Sequence, residues 1–149
     1  MQITPKLLQK ESIILNQELE TPEEVIIRCG QMLVAAGYVN ERYIEGMIMR
    51  DKVFSTAIGN LIAIPHGEKE YRSDIISSGI VVITYPQGID WNGKCVKLVI
   101  GIAGKGEEHL DILTNIVESL EEEEDVENLV RQANRDVIYN IFMTGKEEA

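Results

Sequence analysis

The sequence predicts an α/β sandwich folded as one domain. Three observations carry this. Runs of β-branched residues alternate with stretches of helical periodicity. One of those runs, Val96–Gly104, is almost wholly apolar, as a strand covered on both faces must be. And the 149 residues contain no internal repeat, low-complexity linker or compositional break that would divide them.

The elements follow in order. Ser12–Asn16 (SIILN) is a short β-branched run and reads as a strand. A helix then opens at Thr21. Threonine caps it, Pro22 occupies the first helical position, and Glu24 completes a capping box. Val25, Cys29, Met32, Leu33 and Ala36 fall on one face, and Gly37 stops the helix. Asn40 reads as the cap of a second helix. Ile44, Met47 and Ile48 face inward, Gly46 is a local weakness, and Arg50 lies near the C-terminal end. NLIAIPHG is a short apolar strand halted by Pro65. Gly79–Pro86 is a strongly β-branched strand, QGIDWNGKC is turn-like, and Val96–Gly104 is the central strand. Three helices follow. The first is read from Leu110, Leu113, Val117 and Leu120, the second from Val126, Leu129, Val130 and Ala133, and the last from Val137, Ile141 and Phe142. The acidic run Glu121–Asp125 is a solvated helix end or turn.

Composition narrows the function. With 25 acidic and 14 basic residues, the net charge is −11. Such a surface repels nucleic-acid phosphates and anionic lipid, and steers a basic protein partner. The segment MQITPKLLQKESIILNQ lacks the apolar core of a signal peptide, and no apolar run reaches the length of a membrane span. Cys29 and Cys95 form no CxxC pair. They read as reduced, core-packed thiols of a cytoplasmic protein.

The chemistry centres on His66, one of two histidines, in the stretch AIGNLIAIPHGEKE. A core or turn histidine satisfied by backbone is one reading. The other is an accessible imidazole in a dry rim. Pro65 ends the strand, Gly67 removes a side chain beside the ring so that another molecule can approach, and Leu61, Ile62 and Ile64 form an apolar wall. An ordinary imidazole titrates near pH ~6.5 and is mostly neutral at cytoplasmic pH. If one nitrogen is held as a donor, the other is a good nucleophile toward carbonyl or phosphoryl centres. A metal site needs three or four ligands, and the spacing of Glu68, Glu70, Glu107, Glu108 and His109 matches no zinc motif, so no metal is expected. There is no GxSxG nucleophile elbow and no GxxxxGK[ST] nucleotide loop. His109 follows VKLVIGIAGKGEE, just past the end of the central strand, where open α/β sheets place their sites. Gly101, Gly104 and Gly106 suit a loop that approaches something closely. His109 reads either as a solvated helix-start histidine or as a site residue, and Arg50 either as a helix-end cation or as a phosphate contact. Two imidazoles and an arginine around one phosphoryl group make chemical sense: one ring attacks while the other donors neutralise the equatorial oxygens.

The segment GNLIAIPHG resembles the phosphorylation-site signature of enzyme IIA domains of the mannitol/fructose type, from the phosphoenolpyruvate-dependent sugar phosphotransferase system. AGYVNERYIEGMIMRDKVFSTAIGNLIAIPHG, GIVVITYPQGIDWNG and VKLVIGIAGKGEEHLDILTNI extend the resemblance to the mannitol-specific members over most of the chain. The resemblance implies a mixed sheet of about five strands with helices on both faces. It implies a phosphocarrier without cofactor, loaded by phospho-HPr and discharged to a cysteine of a IIB component, with no membrane insertion of its own. It makes His66 the phosphoryl acceptor through Nε2, His109 the second active-site histidine, and Arg50 the arginine near the phosphate. Asn60 stands where some mannitol members carry a glutamate. A regulatory IIA-like module of the nitrogen-related type is the alternative the same motif allows.

Overall fold

In the computed structural model, which describes residues 7–107 and 109–145, five strands form one sheet in the order β1-β4-β5-β3-β2. They are β1 (Ile13–Ile14), β2 (Ala57–Gly59), β3 (Ile62–Ala63), β4 (Gly79–Trp91) and β5 (Lys94–Ala103). β1 runs parallel to β4 and β3 parallel to β5, whereas β4 with β5 and β2 with β3 are antiparallel, so the sheet is mixed. β5 is the middle strand, as its apolar sequence requires.

Helices cover both faces. Alternation along the two long strands sorts their side chains between two cores. Ile80, Val82, Leu98, Ile100 and Ile102 join α3 (Leu110–Ser119), α4 (Glu123–Gln132) and α5 (Arg135–Thr144). Val81, Ile83, Val99 and Ala103 join α1 (Pro22–Ala35) and α2 (Arg42–Val53). No described helix is long and apolar enough to cross a membrane.

The local signals of α1 operate as read. Thr21 and Glu24 form a reciprocal capping box. Gly37, at φ +86°, closes the helix in a Schellman motif: the Tyr38 N–H reaches the Leu33 carbonyl and the Gly37 N–H that of Val34. The acidic run opens α4. Glu122 and Asp125 form its capping box, and the carboxylates of its first turn face the positive end of the helix.

Several expectations are corrected. Glu41, not Asn40, is the N-cap of α2, without a side-chain cap bond. The inward face of α2 is Tyr43, Gly46 and Met47, with Ile44 and Ile48 only half-buried. Most of QGIDWNGKC is strand. β4 absorbs Pro86 and Gly88 at a bulge between Thr84 and Ile89 and turns only at Asn92-Gly93, both at positive φ, into β5. The short apolar strand is a tight hairpin of β2 and β3 instead, its two-residue loop being Asn60 and Leu61 at φ +57° and +67°. Asn60 serves that turn, and its amide donates to the Leu120 carbonyl at 2.8 Å. The first strand shrinks to Ile13–Ile14, because Ser12 closes a 3-10 turn. Cys29 is buried as expected, but Cys95 is exposed. Glu108 and the first six residues lie outside the described part of the chain.

Candidate active site

Past β3 the chain rejoins β5 through a single parallel bridge between His66 and Ile102. The Ile102 N–H donates to the Pro65 carbonyl at 2.8 Å. His66 therefore stands at the sheet edge where β5 runs out, half-buried rather than in the core. Its Nδ1 lies 2.8 Å from the Ile64 carbonyl oxygen. A carbonyl can only accept, so Nδ1 carries the hydrogen, and Nε2 of the neutral ring keeps the lone pair.

One open cleft of about 740 Å³ is lined by His66, His109 and Arg50 together. The three side chains singled out in the sequence thus share one concavity. They reach it from three elements: the segment after β3, the loop between β5 and α3, and the last turn of α2.

His109 precedes the first residue of α3. A Cβ on Gly104 would lie 2.4 Å from His109 Cε1 and 2.6 Å from Nε2, so the ring occupies space that only glycine leaves open. Of the other two glycines read as loop residues, Gly106 is in the loop, at φ +76°. Gly101 is inside β5, where a Cβ would strike Val81 and Cys29. Arg50 Nη1 donates to the Phe54 carbonyl, and its guanidinium stacks 5.7 Å from the Phe54 ring centroid. A guanidinium has five N–H donors, so this bond leaves donors for an anion in the cleft.

The rest of the lining is mixed. Ile64, Ile75, Ile102, Leu110 and Leu113 give it an apolar wall. This differs from the expected one, because Leu61 and Ile62 point into the core and only Ile64 borders the cleft. Lys69 and Arg72 join Arg50 as cations, against Glu68 and Glu107. A chain of net charge −11 thus gathers three cations and both histidines at one place, which favours a bound anion.

Gly67 also differs from expectation. The space beside it is filled by the Tyr43 ring, 2.6 Å from where a Cβ would be. The Gly67 N–H donates to the Tyr43 hydroxyl at 2.9 Å, and that hydroxyl donates to the Ile102 carbonyl at 3.0 Å. Tyr43 was not singled out in the sequence. The signal was available: Tyr43, Met47 and Arg50 are spaced i, i+4, i+7 along one stripe of α2.

Comparison with known proteins fits this geometry. The family model described as "Phosphoenolpyruvate-dependent sugar phosphotransferase system, EIIA 2" matches residues 6–144. The mannitol-specific phosphotransferase enzyme IIA component of Bacillus subtilis (strain 168) is 45% identical over 138 residues, covering 92% of this chain and 96% of that one. The crystal structure of IIA mannitol from Escherichia coli superposes with a TM-score of 0.80 at 32% identity, over 90% of this chain and 97% of that one. A complex of Escherichia coli enzyme IIAMTL with phosphorylated enzyme IIBMTL gives a TM-score of 0.82 at 31% identity, over 94% and 100% of the two chains. A match along nearly the whole length, at such identity and with the same mixed sheet, leaves one assignment: this chain belongs to the EIIA type 2 family and is a phosphoryl-transferring IIA component of the phosphoenolpyruvate-dependent sugar phosphotransferase system.

Proposed function

We propose that the protein is the IIA phosphocarrier of a mannitol system, taking a phosphoryl group from phospho-HPr onto His66 Nε2 and passing it to a cysteine of a IIB component. The observation that carries this reading is the bond from His66 Nδ1–H to the Ile64 carbonyl, in a cleft shared with Arg50 and His109. Acceptance begins with the Nε2 lone pair attacking phosphorus on the donor's phosphohistidine. The new P–N bond forms as the donor's P–N bond breaks, and that electron pair returns to the donor ring. The Ile64 carbonyl steadies the positive charge that His66 acquires. Arg50 and His109 donate to the equatorial oxygens of a loose, metaphosphate-like transition state. In the onward step a cysteine thiolate attacks phosphorus, the P–Nε2 bond breaks, and its electron pair restores the neutral imidazole. A phosphoramidate suits such a relay because it gives up its group readily.

Docking partners would cover the apolar wall and keep water from the phosphohistidine. Leu110 is 45% exposed at the cleft rim, and Phe54, stacked on Arg50, is 72% exposed. The mannitol-specific relatives and the complex with a IIB protein favour this function over a regulatory module of the nitrogen-related type. The test is incubation with phosphoenolpyruvate, enzyme I and HPr, followed by intact mass measurement and then addition of a purified mannitol IIB. The expected result is the gain of one phosphoryl group, its absence in His66→Ala, and its loss to IIB. Uptake that survives His66→Ala overturns the assignment of His66, and a label that IIB cannot remove overturns the transport reading.

A further inference from the structure

We infer that Tyr43 is the positioning residue for His66, acting as a side-chain rung in the sheet ladder. The inference rests on the phosphocarrier reading above. In a parallel bridge centred on His66 and Ile102, two bonds are expected: the Ile102 N–H to the Pro65 carbonyl, and the Gly67 N–H to the Ile102 carbonyl. The first is present at 2.8 Å. In place of the second, the Tyr43 hydroxyl is interposed, accepting from the Gly67 N–H at 2.9 Å and donating to the Ile102 carbonyl at 3.0 Å. Burial raises the Tyr43 phenol above its ordinary range, so the hydroxyl keeps the proton it must donate. The ring is 2% exposed and fills the space beside Gly67 where a Cβ would lie 2.6 Å away.

The consequence falls on His66. Its backbone is flanked by one direct rung at Pro65 and one tyrosine-mediated rung at Gly67. The inserted hydroxyl holds the segment off β5 on the Gly67 side while still fixing it. That sets the ring orientation from which Nδ1–H reaches the Ile64 carbonyl and Nε2 is left as the nucleophile. Without the hydroxyl, Gly67 and Ile102 either close into a direct rung or remain unpaired. Either outcome turns the segment and weakens the hold on the tautomer. Tyr43 also lies on the stripe of α2 that ends in Arg50, so one helix face positions the nucleophile and supplies the phosphate contact.

Tyr43→Phe tests this, because it removes the hydroxyl and keeps the ring. We expect about a tenfold slower phosphoryl uptake at saturating phospho-HPr, the effect of one lost hydrogen bond, with the donor KM unchanged. Nitrogen-15 NMR of the unphosphorylated protein should show the His66 ring moving from the Nδ1–H form toward a mixture of tautomers. A merely structural tyrosine would lower the melting temperature and leave both readouts at wild-type values, and that result overturns the inference. Should Tyr43→Phe fail to fold, Gly67→Ala decides, since its Cβ presses on the same ring from the other side. A wild-type tautomer and rate in that variant overturn the inference equally. Failure of the relay reading itself is recognised separately, as phosphate uptake that persists in His66→Ala.

Discussion

Residues 50 and 51 are neighbours with opposite duties. Arg50 is half-buried and lines the cleft, its guanidinium held at its own helix end by the Phe54 carbonyl and ring. Asp51 turns back toward the core. Its Oδ1 accepts from the Thr56 N–H at 2.8 Å, the Thr56 hydroxyl at 2.7 Å and the Trp91 indole N–H at 3.1 Å. Thr56 and Trp91 are both buried, so removing the carboxylate orphans donors that water cannot reach. Asp51→Ala should therefore cost about 3 kcal/mol and lower the melting temperature by roughly 6–12 °C. Arg50→Ala, like His109→Ala, should leave the melting temperature within a few degrees and slow phosphoryl transfer about 10²-fold. Thermal melts and single-turnover transfer on the three variants check this. An Asp51→Ala protein as stable as wild type, or an Arg50→Ala protein with wild-type transfer, refutes the corresponding half. Sequence alone located Arg50, because a cation near a helix end can be placed by counting. Asp51 escaped notice because its partners lie 5 and 40 positions away in the chain.

Among the elements, α3 shows both how helix periodicity works and where it stops. Leu110, Leu113, Val117 and Leu120 repeat at helical spacing, yet the core takes Ile112, Ile116 and Leu120. The helix is apolar on two faces, and spacing cannot choose between them; contact with α5 and the sheet does. The face left over is exposed at Leu110 and Val117, the latter 66% exposed. Since Leu110 borders the His66 cleft, this surplus face is where a phosphoryl partner would dock. Leu110→Gln should raise the KM for phospho-HPr about fivefold, the effect of roughly 1 kcal/mol of apolar contact, with kcat and melting temperature unchanged. Steady-state uptake over a range of donor concentrations measures this, and an unchanged KM removes α3 from the docking surface. β4 gives the complementary case. Pro86 read as the end of the strand and Gly88 as part of a turn, but pairing with β5 resumes past a bulge and carries the strand through both. The helices with explicit caps, α1 above all, were legible because their start and stop signals are local. The cleft was legible only as a list of three residues, since what joins them is long-range: the Tyr43 rung and the glycine-made space for His109.

At the scale of the whole molecule, the layer of α1 and α2 over the sheet hides acidic protons that the unfolded chain would release. Burial pushes the Cys29 thiol up to about 12 from an ordinary 9.0. Burial, then the hydrogen bond to Glu20 at 2.6 Å and its charge, raise the Tyr85 phenol as well. Each group is neutral in the fold well above the pH at which it ionises when unfolded. Between those two values the unfolded state binds fewer protons than the native state, so stability falls as pH rises. For Cys29 the contribution is fully present below about pH 9 and is lost as pH climbs toward about 12. The midpoint of urea unfolding should thus hold from pH 7 to 9 and decline steadily above. The growing negative charge of a chain already at −11 adds to that decline, but it does so for any variant. Cys29→Ala separates the two effects. It loses some core packing at every pH, yet its stability should fall less steeply above pH 9, by up to about 1.4 kcal/mol per pH unit, the full linkage of one proton. Parallel slopes for the two proteins between pH 9 and 11 would show that the thiol does not govern the alkaline limit and that surface repulsion does.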